Sequence, residues 1–140
     1  MGWTEQQQKA IDAKDTSLIV SAAAGSGKTA VLTERLVQLI ADRDSGVRAD
    51  RIVVVTFTND AAAELKKRLE KRLRELISAA PGDSYLLKQQ ILLQGAKIST
   101  INSFCFDLIR DNIGEGSITS GFSVLDDADN KVLKAQTLDE

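Results

Sequence analysis

No histidine occurs anywhere in the 140 residues, and there is one cysteine, one proline and few aromatics. Each shortage removes a class of chemistry. Without histidine there is no Ser–His or Cys–His nucleophile pair and no imidazole ligand for a metal. Cys105 has no second cysteine to pair with inside the chain, which fits a reducing, cytoplasmic setting. Aromatics make up only 4% of the residues, so aliphatic side chains must build the core. No apolar run approaches the roughly 20 residues of a transmembrane helix, and no membrane partner is expected. Glu5, Lys9, Asp12 and Lys14 interrupt the start, where a signal peptide needs an unbroken apolar stretch. Met1-Gly2 opens like a myristoylation signal, but Gln6 stands where Ser or Thr is needed. The 18 basic residues are offset by 20 acidic ones, for a net charge of −2. That balance excludes a polycation that coats nucleic acid and leaves room for a local basic groove.

What is present suits one modest globular domain, with a hydrophobic share of 43%. Residues 3–14 read as a short helix with Thr4 as its N-cap. "SLIVSA" (17–22) is a short apolar run, as in a buried parallel strand. From Lys28 to about Ala41, Leu32, Leu36, Leu39 and Ile40 keep helical spacing. The polar segment 42–50 reads as a loop. "RIVVVTF" (51–57) is β-branched and predicts a second buried strand. A long helix follows Asn59, with Leu65, Leu69, Leu73 and Leu76 on one face, and "APGD" (80–83) ends it with the only proline. Residues 84–94 look helical, "AKISTI" (96–101) is a third strand candidate, and 102–113 is a helix stopped by Gly114. A last helix begins near Asp127 and is still amphipathic at Glu140, so the chain reads as a fragment. The alternation of strands and helices predicts an α/β fold: a mainly parallel sheet, here incomplete, with helices on its faces.

One loop carries specific chemistry. "SAAAGSGKT" (21–29) has the phosphate-loop form of a small residue, four spacers and then Gly-Lys-Thr. Gly25 and Gly27 let the backbone turn its N–H groups inward with no Cβ in the way. With Ala22, Ala23, Ala24 and Ser26 they form the cradle, at a helix start where the dipole favours an anion. Lys28 reaches the β- and γ-phosphates, and Thr29 offers its hydroxyl to Mg2+. These two are the candidate catalytic residues. Ala22 departs from the usual first glycine, and a small residue is tolerable there. A chance Gly-Lys-Thr turn on an ordinary helix is the alternative. An apolar strand before the loop and an amphipathic helix after it favour the phosphate loop.

A phosphate loop alone does not choose between kinases, GTPases and helicases. Other segments do. "WTEQQQKAI", "SAAAGSGKTAVLTERL", "VVVTFTNDAAAELKKRL" and "ISTINSFCFDLI" together resemble superfamily-one DNA helicases of the UvrD/Rep type, and among them the AddA-type helicase–nuclease subunits. They keep the order of the Q motif and motifs I, Ia and Ib, across nearly the whole chain. The resemblance implies a P-loop, RecA-like fold, with residues 1–121 the first part of domain 1A and 122–140 the start of subdomain 1B. It implies ATP and Mg2+ as cofactors, and it makes Gln7 the glutamine that reads the adenine edge. Gln6 and Gln8 flank it and blur the assignment by one position. It implies partners in single-stranded DNA, duplex DNA ends and an AddB-like nuclease subunit, in double-strand break repair.

By the same resemblance, Thr56, Phe57, Thr58 and Asn59 contact DNA, with Phe57 stacking on a base and the polar side chains bonding phosphate oxygens. On chemistry alone, Phe57 could equally be a core residue and Asn59 a helix cap. Asn102, Ser103 and Phe104 form the second contact segment, although the family usually has His where this chain has Asn102. The basic run Lys66, Lys67, Arg68, Lys71, Arg72 and Arg74 is better read as a solvated helix face, because Glu64, Glu70 and Glu75 stand at ion-pair spacing. "FSVLDDAD" (122–129) mimics a Walker B strand, but Asp126 or Asp127 is read as the start of the last helix. The chain then lacks Walker B and the arginine fingers, so it should bind nucleotide and turn it over poorly. Two rivals stand beside the helicase: a non-catalytic ATP-dependent interaction module, and a small-molecule kinase.

Overall fold

A computed structural model describes residues 2–14, 16–23, 25–113 and 123–138. Ala24 of the loop, the expected stop at Gly114, the boundary between 121 and 122, and Glu140 lie outside them. The chain forms two compact units, Met1–Phe104 and Cys105–Glu140.

The first unit opens with helix α1 (Glu5–Asp12), which Thr4 caps as its sequence predicts. Thr4 Oγ1 accepts from the Gln7 N–H, and Gln7 Oε1 accepts from the Thr4 N–H, a reciprocal capping box. Helix α2 (Lys28–Ala41) follows the glycine loop, and two short 3-10 turns at 43–45 and 49–51 break up the polar connection after it. Strand β1 (Val53–Thr56) leads into the long helix α3 (Asn59–Ala79). Helix α4 (Ser84–Leu92) then returns the chain to strand β2 (Lys97–Thr100). The two strands pair in parallel, with Val53 opposite Lys97 and Thr56 opposite Thr100. This is a mixed α/β fold with a small, two-stranded parallel sheet among the described residues.

Packing explains most of this arrangement. Leu65, Leu69 and Leu73 of α3 are at most 2% exposed, and they meet Val37 and Ile40 of α2, Ile52, and Leu86 of α4 in one core. The helical spacing of those leucines is therefore what turns α3 toward α2 and the sheet. Buried Gln89 is satisfied because its Oε1 accepts from the Ala49 N–H at 2.9 Å. The basic side of α3 is a salt-bridged face, as expected. Arg68 pairs with Glu64 at 2.7 Å, and Arg72 pairs with Glu75. Arg72 also reaches across to Glu34 of α2, which raises its guanidinium pKa.

One expectation is corrected. The segment 17–22 is not a strand: no ladder partner lies beside it among the described residues. Leu18, Ile19 and Val20 are 43%, 95% and 47% exposed. Apolar, β-branched composition favours a sheet, but only a paired neighbour makes a strand. The alternative in which Asn59 caps α3 also falls away, because the cap is Thr58. Thr58 has extended backbone and its hydroxyl accepts from the Ala61 N–H, while Asn59 is already the first helical residue.

Helix α5 (Ile101–Asp111) begins directly after β2, and Thr100 Oγ1 accepts from the Ser103 N–H at its start. In the second unit, helix α6 spans Asp127–Leu138. Asp126 caps it, accepting from the N–H groups of Ala128 and Asp129 at 2.9 and 2.8 Å. The acidic pair therefore starts a helix, as its sequence predicts. No group of acidic, cysteine or histidine side chains suited to a metal is found among the described residues. No helix there is long and apolar enough to cross a membrane.

Candidate nucleotide and nucleic-acid site

The loop before α2 turns on two glycines with left-handed backbone, Gly25 at φ 76° and Gly27 at φ 85°. L side chains avoid this region, so the bend depends on glycine. The Ser26 N–H closes a turn on the Ala23 carbonyl at 3.3 Å. Gly27 occupies the N-cap of α2, and no side chain caps the helix. The first N–H groups of α2 are thus left for an outside acceptor, at the positive end of the helix dipole.

Lys28 folds back over the loop. Its Nζ donates to the carbonyls of Ala22 at 2.5 Å and Ala23 at 2.7 Å. A phosphate oxygen offers this ammonium a charged acceptor in exchange for neutral ones, and charge-assisted bonds are the stronger kind. Thr29 is exposed, and its hydroxyl makes no hydrogen bond among the described residues. The Thr29 carbonyl accepts from Thr33 Oγ1 at 2.8 Å. A glycine-bent loop, an uncapped helix start, an exposed ammonium and an exposed hydroxyl are a donor set that fits Mg·triphosphate.

Gln7 lies against this loop. Its Nε2 donates to the Ser26 carbonyl at 3.1 Å and sits 3.3 Å from where a Cβ on Gly27 would be. A carboxamide has two N–H donors and two acceptor lone pairs. One donor serves Ser26 and one lone pair serves Thr4, so one of each is left over. That pair matches the N6 donor and N7 acceptor of adenine.

The second group of sequence-predicted residues gathers at one edge of the sheet. Thr56 and Thr100 are register partners at the C-terminal ends of β1 and β2, so residues 57–59 and 102–104 leave the sheet side by side. This is the end of a parallel sheet where ligands usually bind. Phe57 is 97% exposed, which removes the core alternative for it. Asn59 and Asn102 are exposed, and Phe104 is half-buried. The hydroxyls are less free. Thr56 Oγ1 donates to the Thr58 carbonyl at 2.9 Å, Thr58 caps α3, and Ser103 Oγ bonds Thr100 Oγ1 at 2.9 Å. Two neighbours of these sites were not singled out from the sequence. Thr100 anchors Ser103, and Arg35 binds the far end of α1. Nothing in a single Thr or a helix-face Arg marks such a role.

Comparison with known proteins places the chain in a family. The sequence matches the family of the UvrD/REP helicase N-terminal domain over residues 3–140. It is 44% identical over 138 residues to the A subunit of the ATP-dependent helicase/nuclease of Acetivibrio thermocellus, covering 99% of this chain and 11% of that protein. The corresponding protein of Exiguobacterium sibiricum is also 44% identical over 138 residues, with 12% of it covered. That of Listeria welshimeri is 41% identical over 99% of this chain and 11% of its own length. The chain thus spans about a tenth of the length of these relatives, in their N-terminal region.

Proposed function

Because the chain belongs to the UvrD/REP helicase N-terminal domain family, we propose that it is the ATP-binding portion of an ATP-dependent DNA helicase, working within a helicase–nuclease during double-strand break repair. The observation that carries this reading is the build of the loop before α2, with Gly25 and Gly27 in left-handed backbone and Lys28 poised over it. Backbone N–H groups of residues 22–29 cradle the phosphates, Lys28 neutralises the outer ones, and Thr29 takes Mg2+. Gln7 selects adenine with its spare donor and acceptor. Bound Mg·ATP supplies the phosphoryl bond whose cleavage drives the motor.

Phe57 and Phe104 stack on bases of single-stranded DNA, while Asn59 and Asn102 hold its backbone. Residues 1–121 are assigned to the RecA-like domain 1A and 122–140 to the start of subdomain 1B. In the longer protein, the partners are DNA ends and an AddB-like nuclease. Asp126 caps α6, which supports reading it as a helix start and not as a Walker B acid. Without that acid and the arginine fingers, this chain binds nucleotide and turns it over slowly.

Calorimetry with Mg·ATP tests the reading. The chain is expected to bind one equivalent, and Lys28→Ala to weaken binding about 10- to 100-fold, the value of charge-assisted hydrogen bonds to phosphate. Equal affinity in the variant, or rapid DNA-stimulated hydrolysis by the 140-residue chain, would contradict it.

A further inference from the structure

Helix α1 carries Gln7, yet it has only 8 residues and buries only Ala10 and Ile11. A helix this short does not hold itself in place in water. Its position comes from the packing of Ala10 and Ile11 on Val31 of α2 and from contacts at its two ends. At the N-terminal end, Gln7 Nε2 bonds the Ser26 carbonyl. At the C-terminal end, Arg35 of α2 inserts its guanidinium under the last turn. Arg35 Nη1 donates to the Ala10 carbonyl at 2.9 Å, to Ile11 at 3.5 Å, and also to Ala13. These carbonyls have no partner within the helix, and a cation at the negative end of the dipole stabilises it further.

Arg35 lies seven residues after Lys28, two turns along the same face of α2, with Val31 between them packing on Ala10 and Ile11. α1 therefore runs alongside α2, held at the loop by Gln7 and at the other end by Arg35. Lys14 also links this end to Asp42 at 2.5 Å, but it is 58% exposed and contributes little.

We propose that Arg35 is a positioning residue for base selection: by clamping the C-terminal carbonyls of α1 it sets Gln7 at the phosphate loop, and so it controls preference for adenine without touching the nucleotide. This rests on the nucleotide-binding reading of the loop. A residue that only glues the fold together would weaken every nucleotide alike. A positioning residue for Gln7 weakens adenine nucleotides alone, because the phosphates are held by α2 itself.

The test is calorimetry with Mg·ATP and Mg·GTP on the 140-residue chain. Gln7→Ala and Arg35→Ala should each lower ATP affinity about tenfold, the value of one or two hydrogen bonds, and leave GTP within about twofold. The double variant should be no weaker than either single one, since both act through the same contact. Arg35→Lys and Arg35→Met keep the packed stem and are compared in case the alanine variant does not fold. The lysine, with donors for the same carbonyls, should keep the preference for ATP that the methionine loses. Equal losses for ATP and GTP, additive effects in the double variant, or a methionine variant as selective as the lysine one would overturn the proposal. Wild-type binding without preference for ATP would overturn the Gln7 reading and the clamp with it. No binding of either nucleotide would instead remove the phosphate loop as a nucleotide site.

Discussion

Gly27 answers two demands at once. Its φ of 85° lies where L residues are strained, and a Cβ there would meet Gln7 Nε2 at 3.3 Å. Gly27→Ala is therefore expected to cost about 1–2 kcal/mol of stability from backbone strain, and to push Gln7 off the loop. Urea unfolding measures the first effect, and the ATP-to-GTP affinity ratio measures the second. An alanine variant as stable and as selective as wild type would mean that the loop does not hold this shape. At this scale the sequence was informative wherever residue type and spacing are tied to one chemistry. The pattern alone marks Gly25, Gly27, Lys28 and Thr29 as candidates and the resemblance marks Gln7, and the structure gives both glycines left-handed backbone. Neither marks Arg35, because a helix-face arginine reads as a solvated charge until its neighbours are known. The same holds for Thr58, whose capping role became clear only from its extended backbone.

Elements were legible where periodicity reports burial. α3 follows its leucine stripe, and β1 and β2 fall inside the β-branched segments. The segment 17–22 shows the limit. Its composition states a preference for a sheet, and pairing depends on chain brought in from elsewhere. Helix α4 offers a check on how its start is held. Asp83 accepts from the N–H groups of Tyr85 and Leu86 and pairs with Arg43 at 2.8 Å. The Leu86 N–H and the Arg43 guanidinium together hold its carboxyl below its ordinary value of 3.8. The folded chain thus binds this proton less readily than the unfolded one. The stabilisation is complete above the unfolded value and is lost as pH falls through the folded one. Asp83→Ala should lower the melting temperature at pH 7, and the gap between variant and wild type should close in strong acid. A gap that stays constant down to pH 2 would show that the carboxylate is not what caps α4.

On the scale of the whole molecule, the chain brings two different chemistries to one α/β unit. On the proposed reading the loop at the head of α2 takes phosphate, and the paired ends of β1 and β2 present Phe57, Asn59 and Asn102 to the surface. The central claim, as proposed above, is that the first of these holds Mg·ATP and the second single-stranded DNA. The most direct measurement is fluorescence anisotropy of a labelled single-stranded oligonucleotide, titrated with wild type, Phe57→Ala and Lys28→Ala. Loss of one stacked base in Phe57→Ala should weaken binding about 5- to 150-fold, from a stacking contribution of about 1–3 kcal/mol. Lys28→Ala should bind the oligonucleotide as wild type does while binding ATP about 10- to 100-fold more weakly. An oligonucleotide affinity that Phe57→Ala leaves unchanged, or no binding by the wild-type chain, would contradict the account.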